Sequence, residues 1–513
     1  MNKKIIIFSL LLMCLSLCSC FERIEIEIPV GEKIKNDFSV NEYFRDNAVI
    51  QADEEINITG ISEEGVVLVA SLFDNRGNLI NQNYGITDEN NSFSIIIKTP
   101  KASTKVYKLE IKDSNNTFVH NYQNIKFGKV WMINKNDYPI IETLNEKNET
   151  FNNKKESENY DNFGFYYVTE NEKEWLDKNI ENIVNPFILS FVKTVEKENQ
   201  SLLSDGVPVG IIILDIQSDN IYEWISKNYV ERIKYIKEYF EFFDIDEEDN
   251  VSKLYETVLK SLEGIKLEGI IWNFSLKEAN NAVIYNEKYF NVYAAMLNIL
   301  TNHFCDVYSE KVKIIFIQSE SSENNLVDRL RAEQIRNSYY FNNTILIPTY
   351  DLNVEYNKEL EKNEIVELDS EKLLSRIINV LYNDYLVSGY SKLITKSNDD
   401  GVMTNITIVI SNTDDLKYEV TEEMEMINFL EIYDENNNLL NIEYKVVNNQ
   451  IIIDLLKPVT DEEIDILEEE KELINEYYQV SKIKYSVKNS ENNGWLYNEY
   501  LIPVLPFVIE VGR

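Results

Sequence analysis

The spacing of apolar and polar residues predicts a β-rich N-terminal part of the chain. Short apolar runs at 66–70 and 93–97 are separated by polar clusters at 75–78 and 88–91. Short apolar runs bounded by asparagine, aspartate and glycine are typical of β-strands joined by turns. Several such strands at short intervals favour a sandwich, so we predict an N-terminal β domain over 21–127.

The middle of the chain alternates short, wholly apolar runs with longer amphipathic segments. Wholly apolar runs of this length are typical of parallel strands that are buried on both faces. Strands that alternate with helices indicate an α/β layer domain, which we predict over 128–400. The predicted strands are 208–214, 269–272, 312–317 and 345–347, and the predicted helices are 229–243, 286–303 and 370–385.

The last part of the chain returns to a β pattern. Apolar runs at 405–410 and 451–453 lie on either side of a polar turn cluster at 436–438. The same argument from strand and turn residues therefore predicts a C-terminal β domain over 401–513.

The first residues predict a bacterial lipoprotein signal over 1–20. Two lysines precede an apolar run at 5–17, which is short for a membrane-spanning helix. The run ends in Leu-Cys-Ser-Cys at 17–20, which resembles a site where cleavage leaves a lipid-bearing cysteine. We expect Cys20 to be lipidated and the protein to be anchored in the bacterial cell envelope, on its periplasmic face or outer surface. An ordinary secretory signal or a signal anchor is the alternative.

Charge and composition narrow the possible partners. The chain has 50 basic and 88 acidic residues and a formal net charge of −38. Such a surface repels phosphate backbones and anionic headgroups, so we expect no nucleic-acid partner and no membrane contact except the N-terminal lipid. Only Cys305 follows Cys20, which excludes a disulfide framework and a thiolate metal cluster. We expect no metal and no cofactor, and the oligomeric state stays open.

Several segments in a fixed order resemble the motifs of one enzyme family. These segments are 44–51 (FRDNAVIQ), 128–131 (GKVW), 208–212 (PVGII), 269–272 (GIIW), 330–334 (LRAEQ) and 496–507 (LYNEYLIPVLPF). They resemble the motifs of the sialate O-acetylesterase family, in the SGNH hydrolase group. The resemblance implies an α/β fold, with an SGNH-type, flavodoxin-like parallel-sheet domain flanked by N-terminal and C-terminal β-sandwich-like domains.

The resemblance also implies a serine nucleophile, a histidine base and donors for the oxyanion, and this chain departs from each of them. Counted without gaps, Asp137 stands at the nucleophile position and Val366 at the histidine position. Ser218 lies where the family has its oxyanion glycines, and Glu278 stands at the position of an asparagine. Glu364 stands where an acid would orient the histidine. We predict that no catalytic set is intact.

The expected function combines a retained scaffold with lost chemistry. A hydroxyl nucleophile needs a base beside it, but neither His120 nor His303 lies near a histidine motif of the family. We expect a catalytically inactive, sialate O-acetylesterase-like lipoprotein that binds a glycan or a cell-surface protein. The alternative is an active carbohydrate acetylesterase with non-standard catalytic residues.

A relocated active site is a further hypothesis. Paired carboxylates act without histidine in glycosidases, and Asp137, Asp215, Asp219 and Glu278 are the acids nearest to the expected cleft. Because the chain has 88 acidic residues, the simpler explanation is that these four acids lie at solvated surface positions.

Three tryptophans could stack on a sugar. Trp131, Trp224 and Trp272, however, match positions that belong to the core in the family. Because large aromatic side chains are mostly buried, we predict that all three lie in the core.

Overall fold

The computed structural model describes most of the chain, in segments. The described residues are 26–32, 34, 38–134, 162–170, 172–176, 186–199, 206–216, 218, 220–232, 238, 251–274, 278, 289–308, 311–318, 325–349, 351–352, 354–357, 362–365, 367–382, 387–419, 430–457, 476–485, 495–498, 502–505 and 507–511. The chain divides into two compact units. Unit 1 comprises Met1–Asn41, Asn57–Lys98 and Tyr107–Gln123, and unit 2 comprises Glu42–Ile56, Thr99–Val106 and Asn124–Arg513.

The first fourteen strands belong to unit 1 and to the α/β part of unit 2. They are β1 (Phe38–Val40), β2 (Val49–Gln51), β3 (Glu55–Ser62), β4 (Val67–Asp74), β5 (Leu79–Ile86), β6 (Ser92–Lys98), β7 (Ser103–Asp113), β8 (Val119–Asn134), β9 (Phe163–Val168), β10 (Lys173–Trp175), β11 (Val209–Leu214), β12 (Gly269–Asn273), β13 (Lys313–Ile317) and β14 (Thr344–Ile347).

The later strands form a hairpin and the C-terminal β region. They are β15 (Val354–Asn357), β16 (Lys362–Ile365), β17 (Gly389–Ser397), β18 (Met403–Ser411), β19 (Lys417–Glu419), β20 (Leu430–Tyr433), β21 (Leu439–Leu440), β22 (Tyr444–Val447), β23 (Gln450–Asp454), β24 (Lys482–Tyr485), β25 (Trp495–Tyr497) and β26 (Phe507–Glu510).

The helices that the structure describes lie in unit 2. They are α1 (Pro186–Asn199), α2 (Lys227–Arg232), α3 (Lys253–Thr257), α4 (Tyr289–Val307), α5 (Asn325–Tyr340) and α6 (Glu367–Tyr382), with short 3₁₀ helices at Ile221–Trp224 and Leu259–Leu262. Within the described segments, no helix is both long enough and apolar enough to cross a membrane.

Unit 1 consists of antiparallel strands with alternating burial. One sheet has the order β1-β3-β6, and β4 pairs with β5 on one side and β7 on the other. Along β6, Phe93, Ile95 and Ile97 are buried while the residues between them are exposed, as expected for a strand with one face towards an apolar interior. The strands predicted at 66–70 and 93–97 are confirmed.

Two asparagines of β5 connect this strand to β6. Asn81 Nδ2 donates to Lys98 O at 2.8 Å, and Asn83 Nδ2 donates to Ile96 O at 2.7 Å. The oxygen of each amide accepts the backbone N–H of the following residue of β5, at 2.8 and 2.9 Å. Each side chain therefore joins an N–H of one strand to a carbonyl of the other, as a ladder hydrogen bond would.

The central sheet of unit 2 has the order β10-β9-β11-β8-β12-β13-β14. Its neighbouring strands are parallel except β10, which runs antiparallel to β9. Every residue of β11 and β12 is buried, because helices cover both faces of such a sheet. The parallel strands predicted at 208–214, 269–272, 312–317 and 345–347 are confirmed.

Two of the predicted helices are confirmed and one is described in part. The prediction at 286–303 corresponds to α4, and the prediction at 370–385 corresponds to α6. Of the helix predicted at 229–243, residues 229–232 end α2 and Glu238 is helical; the others lie outside the described residues.

Strands β9 and β10 were missing from the prediction. The run Phe-Gly-Phe-Tyr-Tyr-Val of β9 is rich in aromatic residues that favour strands. It follows a long polar stretch, and its partner β11 lies more than forty residues further along the chain. Its composition could have identified it as a strand, but pairing over that separation is not visible in a local pattern.

The strand order reverses direction at β8. Strands β9 and β11 lie on one side of β8, while β12, β13 and β14 follow on the other side. The chain therefore crosses β8 between β11 and β12. In open α/β sheets the crevice at such a switch point, beyond the carboxyl ends of the strands, is where ligands bind.

The amino end of the sheet is held by a polar cluster. Gln51 Oε1 accepts the backbone N–H of Val130 at 2.8 Å, and Lys129 Nζ lies 2.6 Å from Glu268 Oε1. Gln51, the last residue of the segment 44–51, also donates to Glu268 at 3.5 Å. Its role in the fold is therefore to attach β2 to β8 and to the start of β12.

Gly269 marks the closest approach of β12 to Trp131. A Cβ atom on Gly269 would lie 2.2 Å from the Trp131 ring and 2.8 Å from the carbonyl oxygen of Lys313. Trp131 is fully buried and packs edge-to-face on Phe191 of α1, with ring centroids 5.4 Å apart. The contact explains why a glycine begins this strand.

The C-terminal β region contains two antiparallel sheets that share one apolar core. The orders of the described strands are β17-β18-β23-β22 and β21-β20-β24-β26. Ile408 and Ile451 of the first sheet and Ile483 of the second are fully buried in the same cluster. The predicted strands at 405–410 and 451–453 are confirmed, and the domain boundaries stay predictions.

Candidate functional site at the carboxyl edge of the sheet

Polar side chains follow the strands that meet at the switch point. Asn134 ends β8, Asp215 and Ser218 follow β11, and Glu278 follows β12. Among the other predicted site residues, Glu364 lies in β16, where its backbone is paired opposite Glu355. Asp137, Asp219, Val366 and Cys20 lie outside the described residues.

Ser218 serves the turn after β11. Its side chain is 4% exposed, and its Oγ donates to Glu223 Oε2 at 2.6 Å. The same oxygen lies 3.1 Å from the carbonyl of Asn220. Such local contacts are what serine contributes to turns. The Ser218 hydroxyl is therefore buried and bonded to a carboxylate of its own turn.

Glu278 connects the two loops at the switch point. Its side chain is 4% exposed. Its Oε2 accepts the backbone N–H of Ile221 at 2.8 Å, and its Oε1 accepts the hydroxyl of Tyr289, the first described residue of α4. The carboxylate thus attaches the segment after β12 to the turn after β11 and to α4.

The three tryptophans lie in the core, which confirms the prediction. Trp131, Trp224 and Trp272 are 0%, 2% and 3% exposed. Trp224 and Trp272 pack edge-to-face with centroids 5.0 Å apart, which joins the turn after β11 to β12. Their indole faces are covered by protein and are not a platform for a sugar.

Asp215 remains partly exposed at the edge. Its Oδ2 accepts the hydroxyl of Tyr167, which belongs to β9. Burial, together with the neighbouring carboxylate, raises the pKa of Tyr167 above its ordinary value. The Tyr167 hydroxyl therefore stays protonated at neutral pH and can donate to Asp215.

Both histidines of the chain are described, and neither is at this edge. His120 belongs to unit 1, where its ring is exposed beside Tyr122. His303 lies near the end of α4, which returns from the carboxyl end of β12 to the amino end of β13. Lys266, just before β12, donates to the carbonyl of Val307 at 3.3 Å, which places this end of α4 at the amino edge.

His303 is expected to make the protein less stable in mild acid. Burial lowers the pKa of His303 below its usual 6.5, although Glu263 and Asp306 oppose this shift. The unfolded chain then binds a proton at a pH where the folded chain does not, so stability falls as the pH drops below 6.5. Urea unfolding at pH about 7.5 and about 5.8 should show a smaller difference for His303→Gln than for the wild type.

The matched control for His303 is His120→Gln, which removes the exposed histidine of unit 1. Equal pH dependence in the wild type and in His303→Gln would contradict the assignment.

A buried ion pair lies at the same edge of the sheet, next to β14, which is the last strand in the sheet order. Arg376 of α6 forms two hydrogen bonds with Asp351, which follows β14, at 2.9 and 2.5 Å. Arg376 also donates to the carbonyl of Pro348 at 2.9 Å, and the Tyr497 hydroxyl lies 3.4 Å from Asp351. Sequence reasoning missed Asp351. The position of Asp351 shortly after the strand predicted at 345–347 could have identified it as a residue of this edge.

Other polar residues of the matched segments have structural partners. Gln334 Nε2 donates to the Tyr293 hydroxyl at 3.1 Å, which joins α5 to α4. Asn498 Oδ1 accepts the N–H of Ile502 at 2.9 Å, and its Nδ2 donates to Ser388 at 3.2 Å. Like Gln51, these residues hold the fold together.

Metal-ligating side chains do not converge within the described part of the chain. No group of three or more His, Cys, Asp or Glu residues there is arranged to hold an ion.

Comparison with known proteins identifies the fold. No protein-family model and no curated protein matches the sequence. The crystal structure of a carbohydrate acetylesterase from Xanthomonas citri matches with a TM-score of 0.64 and 13% sequence identity, over 93% of this chain and 100% of that one. The chain is therefore a mixed α/β protein with the fold of a carbohydrate acetylesterase.

Two further structures match more weakly. An acetyl xylan esterase from the rumen bacterium Butyrivibrio proteoclasticus has a TM-score of 0.24 and 10% identity, over 71% of this chain and 97% of that one. A family two carbohydrate esterase from Cellvibrio japonicus has a TM-score of 0.25 and 8% identity, over 69% of this chain and 96% of that one.

Proposed function

We propose that this protein is a lipid-anchored, non-catalytic glycan-binding protein of the bacterial cell envelope. Its binding site is the carboxyl edge of the central sheet in unit 2. It retains the scaffold of a sialate O-acetylesterase-like enzyme and has lost the acyl-transfer chemistry.

The position of the histidines carries the proposal. Ester hydrolysis by a serine requires a base within hydrogen-bond reach of the nucleophile. His303 belongs to the opposite edge of the sheet, and His120 belongs to unit 1. Ser218 is bonded to Glu223 and buried. Loss of a histidine base typically lowers the rate of such an enzyme by about 10⁴-fold or more.

The glycan as ligand is supported by the fold and by the position of the edge. The matching Xanthomonas citri protein is a carbohydrate acetylesterase, and the switch point is where ligands of α/β proteins bind. The partly exposed Asp215 provides acceptors for sugar hydroxyls there, held in place by Tyr167. The strong negative charge of the chain favours a neutral glycan over an anionic one.

Anchoring through Cys20 is supported by the N-terminal sequence. A lipid on this residue would hold the protein at the membrane surface without a spanning helix. A cell-surface protein as the partner is the competing version of the binding role.

An active acetylesterase with non-standard residues is the second candidate. Asp215 favours it, because a partly exposed carboxylate at the switch point could act as a base towards water. In this case Asp215→Asn would abolish the activity.

The first test is acetate release by the chain that lacks residues 1–20. Acetylated xylan oligomers and 9-O-acetyl sialic acid would be offered, with the Xanthomonas citri enzyme as the positive control. We expect no release above that of the Asp137→Ala and Asp215→Asn variants. Calorimetric titration with the same oligomers, acetylated and deacetylated, should detect binding to the wild type.

Each outcome separates the candidates. Release that one of the two variants loses would establish an esterase with a relocated base and overturn the non-catalytic proposal. If neither acetate release nor oligomer binding were detected, the glycan would be rejected as the ligand. A cell-surface protein would then remain as the proposed partner.

A further inference from the structure

The Glu278 carboxylate is bound by its own chain in the manner of a small anionic ligand. Both of its oxygens accept hydrogen bonds, one from a backbone N–H and one from a tyrosine hydroxyl. An ionised carboxyl group, which has acceptors only, matches this pattern. Hydrogen bonds to a charged acceptor are stronger than neutral ones.

The surroundings exclude water from this carboxylate. Glu278 is 4% exposed, and the two residues that donate to it, Ile221 and Tyr289, are 5% and 0% exposed. Tyr293, one turn along α4 from Tyr289, is fully buried as well, and desolvation together with the charge of Glu278 raises its pKa well above the ordinary value. The two donors therefore face the Glu278 carboxylate in a buried environment.

The elements that carry the two donors have other contacts in the fold besides those with Glu278. Ile221 belongs to a turn that Trp224 anchors against Trp272. Tyr289 belongs to α4, which is buried along one face and is held by Gln334 at Tyr293. Removal of the carboxylate would leave both donors close to their present positions.

We propose that the crevice between β11 and β12 contains a binding site for a small carboxylate of the acetate class, which Glu278 occupies from within the chain. The atoms of glutamate beyond Cβ are CH₂–COO⁻, so acetate has the size and charge of the part that Glu278→Ala removes. The inference does not depend on glycan binding, because it concerns donors that are buried beneath the edge.

The test is chemical rescue of Glu278→Ala. Melting temperatures would be compared at neutral pH in sodium acetate and in sodium chloride at equal ionic strength. Glu278→Ala is expected to melt below the wild type, since two buried donors lose their charged acceptor. Acetate at 100 mM is expected to raise its melting temperature by about 2–4 °C relative to chloride, with a saturable dependence. The wild type should respond equally to both salts.

Size and donor controls make the result specific. Propionate, which is longer by one methylene, should rescue less than acetate. In Glu278→Ala/Tyr289→Phe, loss of one donor should weaken the apparent acetate affinity by about tenfold. Glu223→Ala removes a partly exposed carboxylate of the turn after β11, and it should show no difference between acetate and chloride.

Two results would overturn the site. The first is an equal effect of acetate and chloride on Glu278→Ala, and the second is an equal acetate effect on Glu223→Ala. If Glu278→Ala does not fold unaided, the yield of refolding from urea would be measured across acetate concentrations. Recovery with acetate but not with chloride supports the site, and recovery with neither rejects it.

Discussion

Replacement of Arg376 by methionine is expected to lower the free energy of unfolding of unit 2 by about 3–5 kcal/mol. The side chains of Arg376 and Asp351 are only 6% and 4% exposed, and two hydrogen bonds join them. Methionine fills much of the same volume but leaves the aspartate as a buried charge with no counter-ion. A charge of this kind costs far more than the loss of one contact.

Chemical denaturation by urea, followed by tryptophan fluorescence, measures this effect. Arg336→Met is the matched control, because Arg336 forms an ion pair with Glu333 on the surface of α5 and is 62% exposed. Its expected cost is at most about 1 kcal/mol. The double variant Arg376→Met/Asp351→Leu should recover part of the loss, since no buried charge remains. Equal costs for Arg376→Met and Arg336→Met would refute the prediction.

Substitution of Gly269 by alanine is expected to be similarly damaging, by about 3 kcal/mol. The added methyl group would lie 2.2 Å from the Trp131 ring, so either β12 or the indole must move. Neither moves easily, because β12 lies between β8 and β13 in the sheet and the indole packs on Phe191. Overpacking at a site with rigid neighbours on both sides lies at the upper end of the usual range.

A double-mutant cycle with Trp131→Phe isolates this contact. The smaller ring opens space in front of Gly269, so Gly269→Ala should cost less in the Trp131→Phe background than in the wild type. An identical cost in both backgrounds would show that the clash with Trp131 is not the cause. Unfolding free energies from urea titration provide all four corners of the cycle.

The parallel strands of unit 2 could be predicted because both of their faces are buried. Burial on both faces requires a continuous apolar run, such as that of β11, and no solvent-facing position interrupts it. The tryptophans were predictable as core residues because large aromatic side chains are mostly buried. The strand β9 was missed because its place in the sheet depends on partners far away in sequence.

The candidate site was only partly predictable. Position counting placed Ser218 and Glu278 near the switch point, where the structure has both of them. It could not indicate that their side chains are buried and bonded to Glu223, Ile221 and Tyr289. In a chain with 88 acidic residues, nothing in the local sequence distinguishes a buried carboxylate such as Glu278 from a solvated one. That distinction arises from tertiary packing alone.

The asparagine bridges between β5 and β6 affect how the protein behaves at high local concentration. Exposed strand edges recruit strands from other molecules, and this is a common route to aggregation among β-rich proteins. Here the amides of Asn81 and Asn83 occupy the edge carbonyls of Lys98 and Ile96. A second molecule would have to break both bonds before it could add a strand at this seam. Unit 1 can therefore be present at high local density without polymerising through that edge.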